Sequence, residues 1–274
     1  MQIAYGPLGD QVGDLYLPEA ARAPVICLLH GGFWRMPYGR DHIAPIALEL
    51  KERGFAVWNL EYRRVGAPGG GWPGTLQDVG TGIDHLAALA AETDAMDLNR
   101  VAVVGHSAGG HLALWSAGRG KSSGNGNGSG NGNGNGNGSG NGYQPKRVKI
   151  SAAVGLAPVA DLVQAYALRC GNGAVEDLLG GSPEDCPLRY RTISPVHMLP
   201  LGVKQLLIHG TPDEDVPVDI SRRYAREAKA AGDDIHFIEL ANAGHMDLID
   251  PKGEASRLLF DWLAWCAGLA PLRA

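Results

Sequence analysis

Almost unbroken apolar runs recur along the chain at residues 25–29, 55–60, 101–104, 152–156, 205–208 and 235–238, and each gives way to glycine or turn residues. Runs of this length and continuity suit strands buried on both faces, as in a parallel sheet. Between them the apolar positions shift to helical spacing, over residues 40–53, 75–92, 108–118, 219–232 and 253–267. Strand and helix in alternation predict an α/β fold, a doubly wound and mostly parallel sheet flanked by helices. Gln11 to Leu17 reads as an added antiparallel edge strand. Residues 158–200 break the alternation with prolines and irregular spacing, which predicts a small cap-like insertion. Residues 124–142 are nearly pure Gly, Asn and Ser. Such a tract buries too little apolar surface to offset ordering, so it reads as a disordered solvent loop. It follows the helix at 108–118, which places it at the sheet edge opposite the one where ligands bind. A length of 274 residues suits one domain spanning residues 1–274.

Charge and cysteine content narrow the partners. A formal net charge of -5 argues against nucleic acid, and a small molecule is the expected partner. No run approaches the roughly 20 apolar residues of a membrane span, and the first residues lack a basic start with an apolar stretch, which predicts a cytoplasmic protein without membrane contact. Cys27, Cys170, Cys186 and Cys266 are scattered without metal-site spacing. Reduced thiols are the expected state, with a Cys170–Cys186 bridge as the alternative in an oxidising compartment. No cofactor or metal is expected.

The chemistry concentrates at the ends of the apolar runs. Residues 101–104 lead into Gly105-His106-Ser107-Ala108-Gly109, a G-x-S-x-G pattern in a strand–turn–helix setting. Small residues two before and two after the serine let a sharp turn pass close to neighbouring backbone, leaving the Ser107 hydroxyl at a helix N-terminus. That end and the Ala108 amide favour negative charge developing in acyl transfer. A phosphate loop would need a Lys-Ser/Thr ending, which is missing. His30-Gly31-Gly32-Phe33-Trp34 closes the first buried run, and its consecutive glycines let the amide of Gly32 or Phe33 act as second oxyanion donor. His30 itself reads as a residue that fixes this loop by hydrogen bonding.

A serine nucleophile needs a general base, and the base needs an orienting carboxylate. Asp213 follows the run at 205–208 in His209-Gly210-Thr211-Pro212-Asp213, with Glu214 and Asp215 as neighbouring alternatives. His245 follows the next run, in a loop before the last helix, and is the expected base among the nine histidines. Trp34, Tyr62 and Trp72 lie near predicted strand ends, where they read either as walls of a substrate pocket or as ordinary packing. Arg63 and Arg64 have two readings, partners for a substrate carboxylate or ion pairs with Glu61 or Asp78.

Taken together these residues resemble the α/β-hydrolase superfamily, whose nucleophile, acid, histidine order matches Ser107, Asp213, His245. The His30–Trp34 loop and Glu61-Tyr62-Arg63 are most similar to its esterase/lipase and kynurenine formamidase-like branch. The His209–Asp213 stretch resembles the end of prolyl-oligopeptidase-type catalytic domains. Phe33-Trp34 stands where a hormone-sensitive-lipase-like pattern has a third glycine. The resemblance implies a serine hydrolase of small carboxylic esters working through an acyl-enzyme. An arylformamidase-type amide hydrolase is the alternative, and a non-catalytic binding protein on the same fold a third reading.

Overall fold

The computed structural model describes residues 1–119 and 148–269. The Gly/Asn/Ser tract at 124–142 lies outside the described residues. The chain begins with strands β1 (Gln2–Ala4), β2 (Val12–Tyr16) and β3 (Ala23–Leu29). Helix α1 (Ala44–Glu52) leads to β4 (Ala56–Leu60), then α2 (Gly74–Asp84) and α3 (Leu86–Ala91). The long strand β5 (Met96–His106) runs directly into α4 (Ala108–Gly118). After β6 (Ala152–Leu156) come three short helices, α5 (Leu162–Ala167), α6 (Ala174–Leu179) and α7 (Pro187–Ile193). The chain continues through β7 (Lys204–Gly210), α8 (Asp219–Ala230), β8 (Ile235–Leu240) and α9 (Glu254–Ala267).

All eight strands form one sheet in the order β1-β2-β4-β3-β5-β6-β7-β8. The first two pairings are antiparallel and the rest parallel. Each predicted apolar run became a strand of the parallel part. Two details depart from the expectations. The strand predicted over Gln11 to Leu17 is antiparallel but not an edge, because β1 pairs outside it; three residues are too few for an alternation to register. The helix expected over residues 75–92 breaks at His85 into α2 and α3.

Alternation within the central strands sorts the core into two layers. Val25, Cys27 and Leu29 of β3, with Val101 and Val103 of β5, face the layer that holds buried residues of α2, α3, α4 and α8. Ile26, Leu28, Ala102 and Val104 face the other layer, built with α1 and α9. Both faces of the sheet are therefore covered, which is why the runs read as continuously apolar. Every residue of α4 is buried, so the helix after the serine is held by packing on all sides. Residues between β6 and β7 pack Leu162, Leu178, Tyr190 and Ile193 into the first layer. All four cysteines are free. Among the described residues no helix is long and apolar enough to cross a membrane.

Candidate active site

Ser107 sits between the last residue of β5 and the first of α4 with φ of 56° and ψ of -117°. A residue with a Cβ in this region is strained, and the fold holds it there by fixing both sides of the turn. Its amide donates to the Leu156 carbonyl at 2.8 Å, and its carbonyl accepts from the His111 amide at 3.0 Å. The flanking glycines make the turn sterically possible. A Cβ on Gly105 would lie 2.0 Å from the Gly109 carbonyl oxygen, and one on Gly109 would lie 2.2 Å from that of Leu29 and 2.4 Å from that of His30. These obstacles are backbone, so no side chain can swing aside. Gly109→Ala is accordingly expected to destabilise the protein by about 3 kcal/mol, lowering Tm by about 6–12 °C in thermal unfolding. A variant melting within about 2 °C of the wild type would contradict the close approach of α4 to the end of β3.

The loop after β3 turns beside the serine through residues of positive φ, Gly32 at 107°, Phe33 at 51° and Trp34 at 56°. Gly31 packs tightly here, since a Cβ on it would come 3.0 Å from His106 Nδ1, 3.1 Å from the His106 carbonyl oxygen and 3.2 Å from the Cβ of Ser107. His30 anchors the loop from beneath. Its Nδ1 lies 2.7 Å from the Gly31 carbonyl and its Nε2 2.7 Å from Glu61 Oε1. Tyr62 stacks on the His30 ring at 4.3 Å and donates its hydroxyl to the His30 carbonyl. Phe33 is fixed from above, because a Cβ on Gly171 would stand 2.4 Å from its ring. Arg35 clasps that same turn, donating to the carbonyls of Gly171 at 2.6 Å and Asn172 at 3.2 Å, and pairing with Asp177 at 2.5 Å.

His245 lies in the loop after β8, and its Nδ1 is 2.7 Å from Asp213 Oδ2. A carboxylate only accepts, so Nδ1 carries the proton and Nε2 is left with its lone pair. The other Asp213 oxygen accepts from the amides of Asp215 at 3.0 Å and Val216 at 2.9 Å. A buried histidine stands behind. His209 Nε2 lies 2.8 Å from the Val216 carbonyl and 3.2 Å from Asp213 Oδ2, while its Nδ1 accepts from the Ser221 hydroxyl at 2.7 Å. Burial by itself would raise the Asp213 carboxyl. Hydrogen bonds from His209 and His245, the charge of His245 and the Val216 amide outweigh it and hold the group well below the usual carboxylate range.

Ser107 and His245 open on one cavity of about 140 Å³, with Gly31, Gly32 and Phe33 of the loop after β3 in its lining. Tyr38, Ile43, Met246 and Ile249 make the rest of its apolar wall, and Asp215 stands at it as well. A larger hollow of about 380 Å³ lies over α7, lined by Tyr190, Arg191 and His197, and shares no residue with this site. The site is the smaller one. Asp213, Asp215 and His245 also bring one ligand atom each within 4.8 Å of one another, the spacing a cation would need. The Asp213–His245 hydrogen bond already engages two of the three.

The three aromatic residues read as possible pocket walls are not in this cavity, which corrects that expectation. Trp34 is buried with its ring edge-on to His111 at 5.2 Å, Tyr62 lies beneath His30, and Trp72 packs against the first core layer with the Arg189 guanidinium 6.0 Å from its ring. The loops after β3 and β4 turn their aromatic area inward, where it is worth more. Arg63 is bound to Asp78 at 2.7 Å, and Arg64 to Asp10 at 2.9 Å and to the Tyr38 carbonyl, so both arginines are structural. His106, His209 and the walls Tyr38, Ile43, Met246 and Ile249 were given no role from sequence. The walls come from irregular turns with no period to read, whereas His106 sits inside the motif itself.

Known proteins place this geometry in context. A probable isoprenylcysteine alpha-carbonyl methylesterase of Arabidopsis thaliana is 27% identical over 262 residues, covering 90% of this chain and 50% of that protein. Esterase LipQ of Mycobacterium tuberculosis is 25% identical over 252 residues, covering 89% and 56%. The chain thus spans between 50% and 60% of the length of the curated relatives it matches. Among solved structures, an acetyl ester-xyloside bifunctional hydrolase from Caldicellulosiruptor lactoaceticus superposes with a TM-score of 0.75 at 22% identity, over 98% of this chain and 97% of that one. A thermophilic esterase from Thermogutta terrifontis gives 0.74 at 20%, over 100% and 95%. These likenesses establish the α/β-hydrolase fold. The BD-FAE family model matches residues 13–227, a span that takes in Ser107 and Asp213, and the chain belongs to the BD-FAE family.

Proposed function

We propose that the protein is a serine esterase of small carboxylic esters, with Ser107 as nucleophile, His245 as general base and Asp213 as the acid that orients it. The observation that carries this reading is the 2.7 Å bond from His245 Nδ1 to Asp213, made at the wall of the cavity that Ser107 enters. It leaves Nε2 unprotonated and ready to take the Ser107 proton as the hydroxyl oxygen attacks the ester carbonyl. The tetrahedral oxyanion is held by the Ala108 amide at the start of α4 and by the amides of Gly32 and Phe33. His245 then returns the proton to the leaving alcohol, and the acyl group stays on Ser107. Water repeats the sequence, releasing the acid and restoring the serine.

Cavity size supports a small acyl group, since 140 Å³ is well under the roughly 300–1,000 Å³ of sites that take drug-sized ligands. The relatives named as esterases support the reaction class. The formamidase alternative fits less well. Formylkynurenine carries a carboxylate, yet no Arg or Lys is among the residues lining the cavity, and Arg63 and Arg64 are engaged elsewhere. We further propose that the described residues work as one domain, a reading supported by the single sheet that carries both core layers, and that the protein acts in the cytoplasm.

The test joins labelling to substrate comparison. A fluorophosphonate is expected to label Ser107 stoichiometrically, and kcat/KM is expected to be higher on p-nitrophenyl acetate than on N-formylkynurenine. Labelling elsewhere, or none on folded protein, rejects the serine mechanism. A much higher kcat/KM on the formamide rejects the esterase.

A further inference from the structure

We infer that His106 is a positioning residue that locks the main chain of His245 and the oxyanion loop to the nucleophile turn. The inference rests on the reading of Ser107 and His245 given above. His106 is the last residue of β5, immediately before Ser107, and only 4% of it is exposed. Its Nε2 lies 3.0 Å from the carbonyl oxygen of His245 itself. A carbonyl accepts and cannot donate, so Nε2 carries the proton of the neutral ring and Nδ1 is bare. The ring also packs against that of His245, centroid to centroid 4.5 Å. On its other side, Nδ1 stands 3.0 Å from where a Cβ on Gly31 would be. One side chain thus touches the base, the oxyanion loop and the strand that carries the serine.

Asp213 fixes one ring nitrogen of His245, but a single hydrogen bond leaves the imidazole free to pivot about it. A second fixed point on the backbone of the same residue removes that freedom. The constraint must not come and go with pH, and it does not. Burial, then the charge of His245, pushes the His106 imidazole down to about 3, so it stays neutral and keeps its donor at any pH where the base is active. The titratable groups whose charge acts on it are His245, Asp213 and His209, and of these the ring of His245 packs against it.

Three substitutions separate positioning from bulk packing. The carboxamide nitrogen of glutamine reaches the place of Nε2, whereas that of asparagine reaches only the place of Nδ1. His106→Leu and His106→Asn are expected to lower kcat on p-nitrophenyl acetate about 100-fold with KM changed less than about threefold, and His106→Gln to recover at least about tenfold of that loss. Fluorophosphonate labelling of Ser107 should slow in parallel. The inference is overturned if glutamine does no better than leucine and asparagine, or if all three keep kcat within about threefold of wild type. In the unaltered protein, nitrogen NMR should find His106 protonated at Nε2, bare at Nδ1 and unchanged from pH 5 to 8 (about the working range of a histidine base). A titrating His106, or the opposite tautomer, overturns the inference even where the variants fail to fold. Activity surviving Ser107→Ala would instead strike the esterase reading and leave this hydrogen bond to be judged by the NMR result alone.

Discussion

Alanine at position 107 is expected to lower kcat on p-nitrophenyl acetate by a factor on the order of 10⁴–10⁶, with KM little changed. The size of the loss follows from what the hydroxyl does: without it no acyl-enzyme forms, and only the oxyanion donors and binding contribute. Those survive, so a residual rate above water should remain. Alanine keeps a Cβ in the same left-handed conformation, with φ of 56°, so the strain of the turn is retained and Tm should barely move. A double variant, Ser107→Ala with His245→Ala, should lose no more than the single one, because base and nucleophile act as a unit. A Ser107→Ala protein that keeps more than about a tenth of wild-type kcat would sink the proposed mechanism.

Asp213→Asn comes second, with an expected loss of about 10⁴ in kcat. The carboxylate accepts from three donors, His245 and the amides of Asp215 and Val216, while His209 Nε2, bonded to the Val216 carbonyl, stands 3.2 Å away. Asparagine offers one oxygen and one NH₂, so whichever way it turns, an N–H faces an N–H. If its NH₂ faces His245, the ring takes the other tautomer and presents a proton to Ser107 instead of a lone pair. Steady-state kinetics against wild type checks this, and a loss under about tenfold would show that another group orients the base. The pH dependence has a definite sign. Asp213 titrates below its ordinary value of 3.8, so the stability it contributes is present above that value and is lost as pH falls through the lower folded one. The Tm difference between wild type and Asp213→Asn should therefore be largest at neutral pH and shrink in strong acid.

Much of this site is legible in the amino-acid sequence, for reasons that differ residue by residue. The strands announced themselves because a sheet covered on both faces needs apolar residues at every position, as in β3 and β6. Ser107 was legible because Gly105 faces the backbone of Gly109 and Gly109 faces that of Leu29 and His30, a steric demand that leaves its mark at fixed spacing. Asp213 and His245 followed from strand order, since each lies in the loop after a parallel strand. The cavity wall was not legible: Tyr38, Ile43, Met246 and Ile249 come from turns where neither period 2 nor period 3.6 operates. Trp34 and Tyr62 misled because position at a strand end says nothing about whether a ring turns outward or into the core. His106 carried no signal of its own, as its role depends on a carbonyl 139 residues away.

Phe33 shares the loop after β3 with Gly32, and its ring rests against Gly171, in a turn that Arg35 ties down from outside the cavity. On the proposed mechanism, substrate range and oxyanion stabilisation therefore meet in one residue, whose ring lines the cavity and whose amide belongs to the donor set. A change in the turn at 169–173 that shifts this ring leaves Ser107, Asp213 and His245 untouched but reaches the chemistry all the same, through the main chain that the ring drags with it.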